Sequence, residues 1–275
     1  MLSHRFISML LLFIFIYTIT QISHQAKKYV ILFDLTNVLI KENQVGFAKK
    51  IGYGTLASYT LTHWKNPGHR CLDMLAAISK HETQKPHISI TLKDRIMPRC
   101  IVELQEGKKT CAETKGELTQ SIAQLDTEKF FSSIKEKNLM TTIINLILDP
   151  ETVASVIEPI KPMIQLAQKL KNAGHKIYIV GNAAEELYAI VKNTYPDILK
   201  HFDGAVISSH IKIIKPNIAV FNHLCTAYNL DPKDCILIDD LEETAAAARQ
   251  LGMQTIVHDK ISHVIKKLKK CGVIL

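Results

Sequence analysis

Four short stretches of this 275-residue sequence carry side chains able to do chemistry, each at or soon after the end of an apolar run. Asp34, with Thr36 two residues on, ends YVILF at 29–33. Gly181-Asn182 follows KIYIV at 176–180. Lys215-Pro216 lies beyond Ser208-Ser209-His210, and Asp239-Asp240 follows CILI at 235–238. A carboxylate at the C-terminal end of a parallel strand stands where open α/β sheets bind ligands, and there it can attack a substrate as a nucleophile. Taken singly, each group has a plainer use. Asp34 could shape a turn after a strand, and Asp239-Asp240 could cap the following helix. Converging on one crevice, three carboxylates and a lysine would bind a divalent cation and an anion. Oxygen-only ligands favour Mg²⁺, and the lysine would offset the anion's charge.

Such groups need a sheet to bring them together. Apolar runs of four or five residues without period-two alternation are strands buried on both faces, as in a parallel sheet. From residue 161 the sequence alternates. A helix over 163–172 is stopped by Gly174, and strand 176–180, helix 184–193 and strand 204–208 follow. Helix 217–228, strand 235–238, helix 242–251 closed by Gly252, and strand 254–257 complete the series. This rhythm predicts an α/β fold with a doubly wound, Rossmann-like parallel sheet. Between the first strand and this series lies a block that reads as helices over 55–64, 70–81, 98–106, 113–125, 128–137 and 139–148. Inserted straight after the first strand, it would form a lid over the strand ends. The expected divisions are residues 1–26 as signal peptide or membrane anchor, 27–40 and 159–275 as α/β core, and 41–158 as an all-helical cap.

The order of these groups resembles the haloacid dehalogenase superfamily of phosphatases and phosphotransferases, over about residues 29–257. SSHIKIIKPNIAVF at 208–221 is similar to the family's lysine motif, with its following Pro and Phe. CILIDDLEETAAAARQLGM at 235–253 is similar to its acidic metal motif, and GHKIYIVGN at 174–182 to its second motif. The insert falls where the family carries a helical cap. The resemblance implies a Mg²⁺-dependent phosphatase acting on a small phosphorylated substrate through a phosphoaspartyl intermediate. By position, Asp34 would be the nucleophile, and Lys215 would stabilise both nucleophile and phosphoryl group. Gly181 and Asn182 would lie against the substrate. Asp34, Asp239, Asp240 and the backbone carbonyl of Thr36 would hold Mg²⁺.

Three departures from the family pattern bear on activity. The Asp that normally serves as general acid and base is Thr36 here, and such a term is worth roughly 10²–10⁴ in rate. The cation-pump ATPases of the same superfamily also carry Thr there, so phosphoryl transfer is not forbidden. The second motif's Ser or Thr is Gly181, which removes a donor worth on the order of 10²–10³. The distal Asp or Asn of the acidic motif is Thr244. These losses leave an alternative open, a catalytically degenerate relative that binds a phosphate ligand or a protein partner. Carbon–halogen hydrolysis fits less well, because it needs no metal and the acidic pair is kept.

The remaining features bound location and partners. Residues 6–22, FISMLLLFIFIYTITQI, are uncharged and mostly apolar, with Arg5 before and Lys27-Lys28 after. They predict a signal peptide or a single membrane anchor, and therefore an exported (periplasmic or secreted) or membrane-anchored protein. The net charge is +8, but residues 260–275 alone hold five lysines and no acid. Without aromatic–basic interleaving or zinc-finger spacing, nucleic acid is not an expected partner. The tail from 261 reads as a helix packed on the sheet with a solvated basic face in preference to the alternative, a helix lying on a membrane surface. Six cysteines show no metal spacing, and Cys100 with Cys111 is the pair to test for a disulfide. His210 is a candidate contact at the site rim, and Tyr59 and Trp64 are candidates for the cap interior.

Overall fold

The computed structural model describes residues 28–63, 66–81, 91–92 and 95–275. The apolar run 6–22 and Trp64 lie outside the described residues. Nine strands occur among the described residues: β1 (Val30–Phe33), β2 (Ile40–Glu42), β3 (Thr91–Leu92), β4 (Arg95–Ile96), β5 (Ile157–Pro159), β6 (Lys176–Gly181), β7 (Gly204–Ile207), β8 (Cys235–Asp239) and β9 (Gln254–Val257). Five form one sheet in the order β7-β6-β1-β8-β9, and every pairing in it is parallel. This is the α/β Rossmann-like core the sequence predicts.

The apolar runs lack alternation because both faces of the sheet are covered. Ile31 and Phe33 point into a core with Met163, Leu166 and Leu170 of helix Lys161–Asn172 and with Val264 and Leu268 of helix Ile261–Lys270. Val30 and Leu32 point the other way, onto Val220, Phe221 and Leu224 of helix Ala219–Tyr228 and Ala247 and Ala248 of helix Glu242–Gln250. The basic C-terminal helix thus packs on the sheet by its apolar stripe. β1 sits at the centre, paired with β6 on one side and β8 on the other. Phe33 stands opposite both Ile179 and Ile238, which sets the ends of three strands level.

After Asp34 the chain turns sharply. Leu39 and Ile40 both donate their N–H to the Leu35 carbonyl (3.0 Å each), and Asn37 takes φ +61°. That left-handed conformation is one Asn tolerates better than most residues. The chain then leaves through β2 and returns through β5. These strands pair antiparallel, Ile40 opposite Pro159, and form the stem of the inserted helices. The sequence patterns miss β2, β5 and helix Gln44–Ile51. Three-residue strands carry too little periodicity, and the N-cap Asn43, which accepts from Gly46 N–H, marks that helix start only in space.

The inserted helices have their own core, with Met74, Leu118 and Met140 fully buried. One correction concerns residues 128–148. The two expected helices over 128–137 and 139–148 are a turn followed by a single helix, Ile134–Ile147. Lys129 takes φ +59°, and Phe130 N–H bonds back to the Leu125 carbonyl. Ser133 then caps the new helix by accepting from Glu136 N–H. Arg70 holds the turn, bonding the Phe130 carbonyl and Glu136 while stacking on the Phe130 ring at 4.0 Å. Burial works against the Glu136 charge, but hydrogen bonds from Ser132 and Arg70 hold its carboxyl down at about 2. Tyr59 is buried in this core beside Glu136.

A second correction concerns the cysteines. Cys100 and Cys111 are buried and not joined in a disulfide, and both pack into the inserted-helix core.

Candidate active site

The C-terminal ends of β1, β6 and β8 bring together all four chemically suggestive stretches. Asp34 follows β1, and its N–H extends the ladder to the Ile238 carbonyl at 2.9 Å. Asp239 closes β8 and is fully buried. Lys215 reaches in from the loop after β7 and donates from Nζ to Asp34 Oδ1 (2.7 Å) and Asp239 Oδ2 (2.6 Å). Leu35 N–H also bonds Asp34 Oδ1, at 2.7 Å. Both bonds to Asp34 therefore fall on one oxygen, and Oδ2 makes no hydrogen bond among the described residues. Asp34 lines a cavity of about 330 Å³ together with Thr36, Asn182, Lys215 and Asp240. A carboxylate fixed by one oxygen, with the other unengaged beside a cavity, is arranged as a nucleophile.

The charges do not balance. Asp34, Asp239 and Asp240 each offer a ligand oxygen, and these oxygens lie within 4.8 Å of one another. One buried lysine faces three carboxylates. The shortage of positive charge shows in Asp34. Burial raises its carboxyl, Lys215 pulls it down and Asp239 pushes it up again, which leaves it at about 7. Burial disfavours the Lys215 ammonium too, yet the two carboxylates outweigh that and hold it above the ordinary lysine value. An oxygen-only cluster short of positive charge fits a hard divalent cation.

The other expected site residues take more varied places. Asp240 accepts from Asn37 Nδ2 at 2.9 Å. Asn37 is a residue the motif reading misses; its only signal in the sequence is an Asn at a turn three residues past Asp34. Asn182 lines the cavity, but its amide is committed to the backbone of Lys215. It accepts from Lys215 N–H at 2.8 Å and donates to the Lys215 carbonyl at 2.9 Å. Thr36 is exposed on the cavity wall, and Thr244 is buried beside it. Gly181 is buried at the end of β6. His210 does not reach the cavity. It stands exposed, with Nε2 3.1 Å from Glu185 Oε2 and its ring edge-on to Tyr188, because its short helical turn, Ser208–Ile211, directs it to helix Glu185–Thr194.

Helix Arg99–Gln105 of the insert roofs the cavity with Ile101, Val102 and Gln105. It is fastened to the core at its end. Ser208 Oγ donates to the Gln105 carbonyl at 2.6 Å, and Lys212 Nζ to the Gly107 carbonyl at 2.6 Å. Gly107 has φ +63°, and a β-carbon there would meet the Ser209 carbonyl oxygen at 2.6 Å, so only glycine allows this approach.

Comparison with known proteins agrees with this geometry. The family profile of haloacid dehalogenase-like hydrolases matches residues 30–252. The chain belongs to the haloacid dehalogenase-like hydrolases. Among solved structures, it is similar in fold to a HAD family enzyme of Bacteroides thetaiotaomicron crystallised with magnesium and inorganic phosphate. That likeness has a TM-score of 0.52 and 16% identity, over 86% of this chain and 99% of that one. A predicted HAD-like hydrolase of Porphyromonas gingivalis gives a TM-score of 0.53 and 16% identity, over 88% of this chain and 98% of that one. A dehalogenase captured as an intermediate complex gives 0.51 and 12%, over 83% of each chain. Among curated proteins, bifunctional epoxide hydrolase 2 of Mus musculus is 26% identical over 117 residues, 40% of this chain. Drimenol cyclase drtB of Aspergillus calidoustus is 23% identical over 108 residues, 39% of this chain. In both cases the match spans 20% of the relative's own length. In this chain the strand-end carboxylates lie under an inserted block of helices.

Proposed function

We propose that this HAD-like hydrolase is a Mg²⁺-dependent phosphatase with a helical cap, acting on a small phosphorylated substrate. The single observation behind the proposal is Asp34, with Oδ1 clamped by Lys215 and Leu35 N–H and Oδ2 unengaged beside the cavity. Asp34 Oδ2 would attack phosphorus, forming an acyl phosphate as the bond from phosphorus to the leaving oxygen breaks. Water would then attack phosphorus, restoring the Asp34 carboxylate and releasing inorganic phosphate. Lys215 orients the nucleophile and offsets negative charge as the oxyanion develops. Asn182 holds the lysine's backbone. Asp34, Asp239, Asp240 and the Thr36 carbonyl would hold Mg²⁺, which when bound supplies positive charge to the phosphoryl oxygens.

A second possibility, a phosphate-binding protein without turnover, is favoured by Thr36 and Gly181, where side chains that would assist the reaction are absent. One experiment separates the two. The full chain is assayed for aryl phosphate hydrolysis with Mg²⁺, with chelator, and as Asp34→Asn. A phosphatase gives Mg²⁺-dependent turnover that Asp34→Asn abolishes. Binding of inorganic phosphate without turnover supports the binding protein instead.

A further inference from the structure

We infer that the substrate carries its phosphate on an extended apolar body, seated in a second chamber between the sheet and the inserted helices. This rests on the phosphatase reading of the same site. Beside the site cavity lies another of about 350 Å³, and Thr36, Ile101, Gln105 and Asn182 line both. The site cavity is polar where Asp34, Lys215 and Asp240 line it, but Met97, Ile101 and Val102 of the insert and Leu241 of the core line it too. The second chamber is walled by Leu104, Ile147, Leu148, Val153, Val156 and Leu187. Its charged lining residues, among those described, are Lys41 and Glu42 of β2, and Lys41 is paired with Glu158 at 3.2 Å.

Among the described residues, the uncharged polar lining is Thr36, Gln105 and Asn182, all three shared with the site. The Asn182 amide is already engaged by Lys215. The Gln105 side chain, at the junction, makes no hydrogen bond among the described residues, so it can swing without breaking one. A sugar or nucleoside body in the chamber would leave most of its hydroxyls and ring nitrogens without partners, since only Thr36, Gln105 and the charged edge at Lys41 and Glu42 could meet them. An alkyl or similar apolar body loses nothing there and gains with every carbon removed from water. The phosphate end is fixed by the strand-end charges, so body length is read from the junction outward.

The test uses phosphonates, which bind without being hydrolysed. The full chain with Mg²⁺ is titrated calorimetrically with methyl-, butyl-, hexyl- and octylphosphonate. Affinity should rise about two- to fourfold per methylene until the chamber is filled, and at least about a hundredfold from methyl to octyl. Val153→Trp, which narrows the chamber from a half-buried position on helix Pro150–Val156, should lower the octyl-to-methyl ratio about tenfold. A flat series, undetectable octylphosphonate binding, or an unchanged ratio in a folded Val153→Trp protein would overturn the inference. The wild-type series decides the matter even if that variant does not fold. Aryl phosphate turnover with a flat series would leave the phosphatase standing without its apolar chamber. A rising series without turnover would do the reverse.

Discussion

A β-carbon on Gly181 would stand 2.9 Å from the β-carbon of Leu35. Real β-carbons do not approach so closely, and neither atom can swing away, since both are fixed to backbone. The family's Ser or Thr is therefore sterically excluded here as β6 and the turn after Asp34 now lie. The same missing β-carbon would be 3.8 Å from Asp34 Oδ1, so the glycine lets the turn after Asp34 press against β6. Gly181→Ser should thus destabilise the protein by about 1–3 kcal/mol, as overpacking does, rather than restore a phosphate-binding hydroxyl. Leu35→Ala should not relieve this cost, because alanine keeps the colliding atom, whereas in a Leu35→Gly background, itself destabilised by loss of a buried leucine, adding Gly181→Ser should cost less. Thermal unfolding of the single and double variants checks this.

Asn182 and Lys215 are joined by two hydrogen bonds through the lysine's own backbone. Asn182→Ala should remove both, at a net cost of about 1 kcal/mol each, lowering Tm by about 4–8 °C for a chain of this size. The larger effect should be on catalysis. A lysine whose backbone is free to drift misplaces its ammonium, so kcat should fall about tenfold or more with KM little changed. Equal losses in kcat/KM for Asn182→Ala and Lys215→Ala would show that Asn182 does more than position its partner.

The buried Asp34 carboxyl links pH to stability. Its value in the fold is about 7 against an ordinary 3.8, so between these limits the folded protein holds a proton that the unfolded chain has lost. The stability this confers is complete below about pH 4 and is lost as pH rises through 7. In metal-free protein, the Tm of the wild type minus that of Asp34→Asn should therefore fall from pH 4 to pH 7 and level off above. Saturating Mg²⁺ should raise the wild-type Tm at pH 8 far more than that of the variant. A difference that stays flat across this range would mean Asp34 is ionised throughout.

Much of this site is legible in the sequence, because the sheet converts sequence order into spatial convergence. Three buried strands of matched register end together, so Asp34, Gly181 and Asp239 had to meet wherever the strands ran parallel, and Lys215 joins them from the loop after β7. Asn37 escapes notice because its place depends on a left-handed turn, and its bond to Asp240 spans 203 residues. The commitment of Asn182 to Lys215 is hidden for a similar reason, since nothing in the sequence says which way an amide points. The β2–β5 stem is too short to carry a period. The second chamber is made by surfaces from the sheet, the stem and the inserted helices, whose contact no local pattern encodes.

The apolar run at residues 6–22, uncharged between Arg5 and Lys27-Lys28, supports the proposal that the protein is exported or membrane-anchored. The described chain begins at Lys28, whose ammonium bonds the Ala173 carbonyl at the end of helix Lys161–Asn172. That end lies opposite the carboxyl edge of the sheet, because helix Lys161–Asn172 runs back to the start of β6. Cell fractionation of the full-length chain should recover it outside the soluble cytoplasmic fraction. Recovery wholly in that fraction would rule export and anchoring out.

Thr36 bears on which phosphates can react. It stands two residues beyond Asp34, exposed on the cavity wall, where the family's acid would hand a proton to the leaving oxygen. An alcohol is far too weak an acid to do so at neutral pH. Aryl and acyl phosphates depart as weak bases and need little help, whereas alkyl phosphates depart as alkoxides and need it most. Water attacking the phosphoaspartate also lacks a base, so that intermediate should persist. The wild type should consequently prefer activated phosphates, and an early burst of product should precede slower steady turnover. Thr36→Asp should raise alkyl phosphate turnover more than aryl phosphate turnover, by a ratio within the roughly 10²–10⁴ that a positioned acid supplies. Glu243 lines the same cavity and is the carboxyl residue most able to substitute for the missing acid. Equal wild-type rates on both classes, abolished for alkyl phosphates alone by Glu243→Gln, would transfer the proton-donor role from position 36 to that residue.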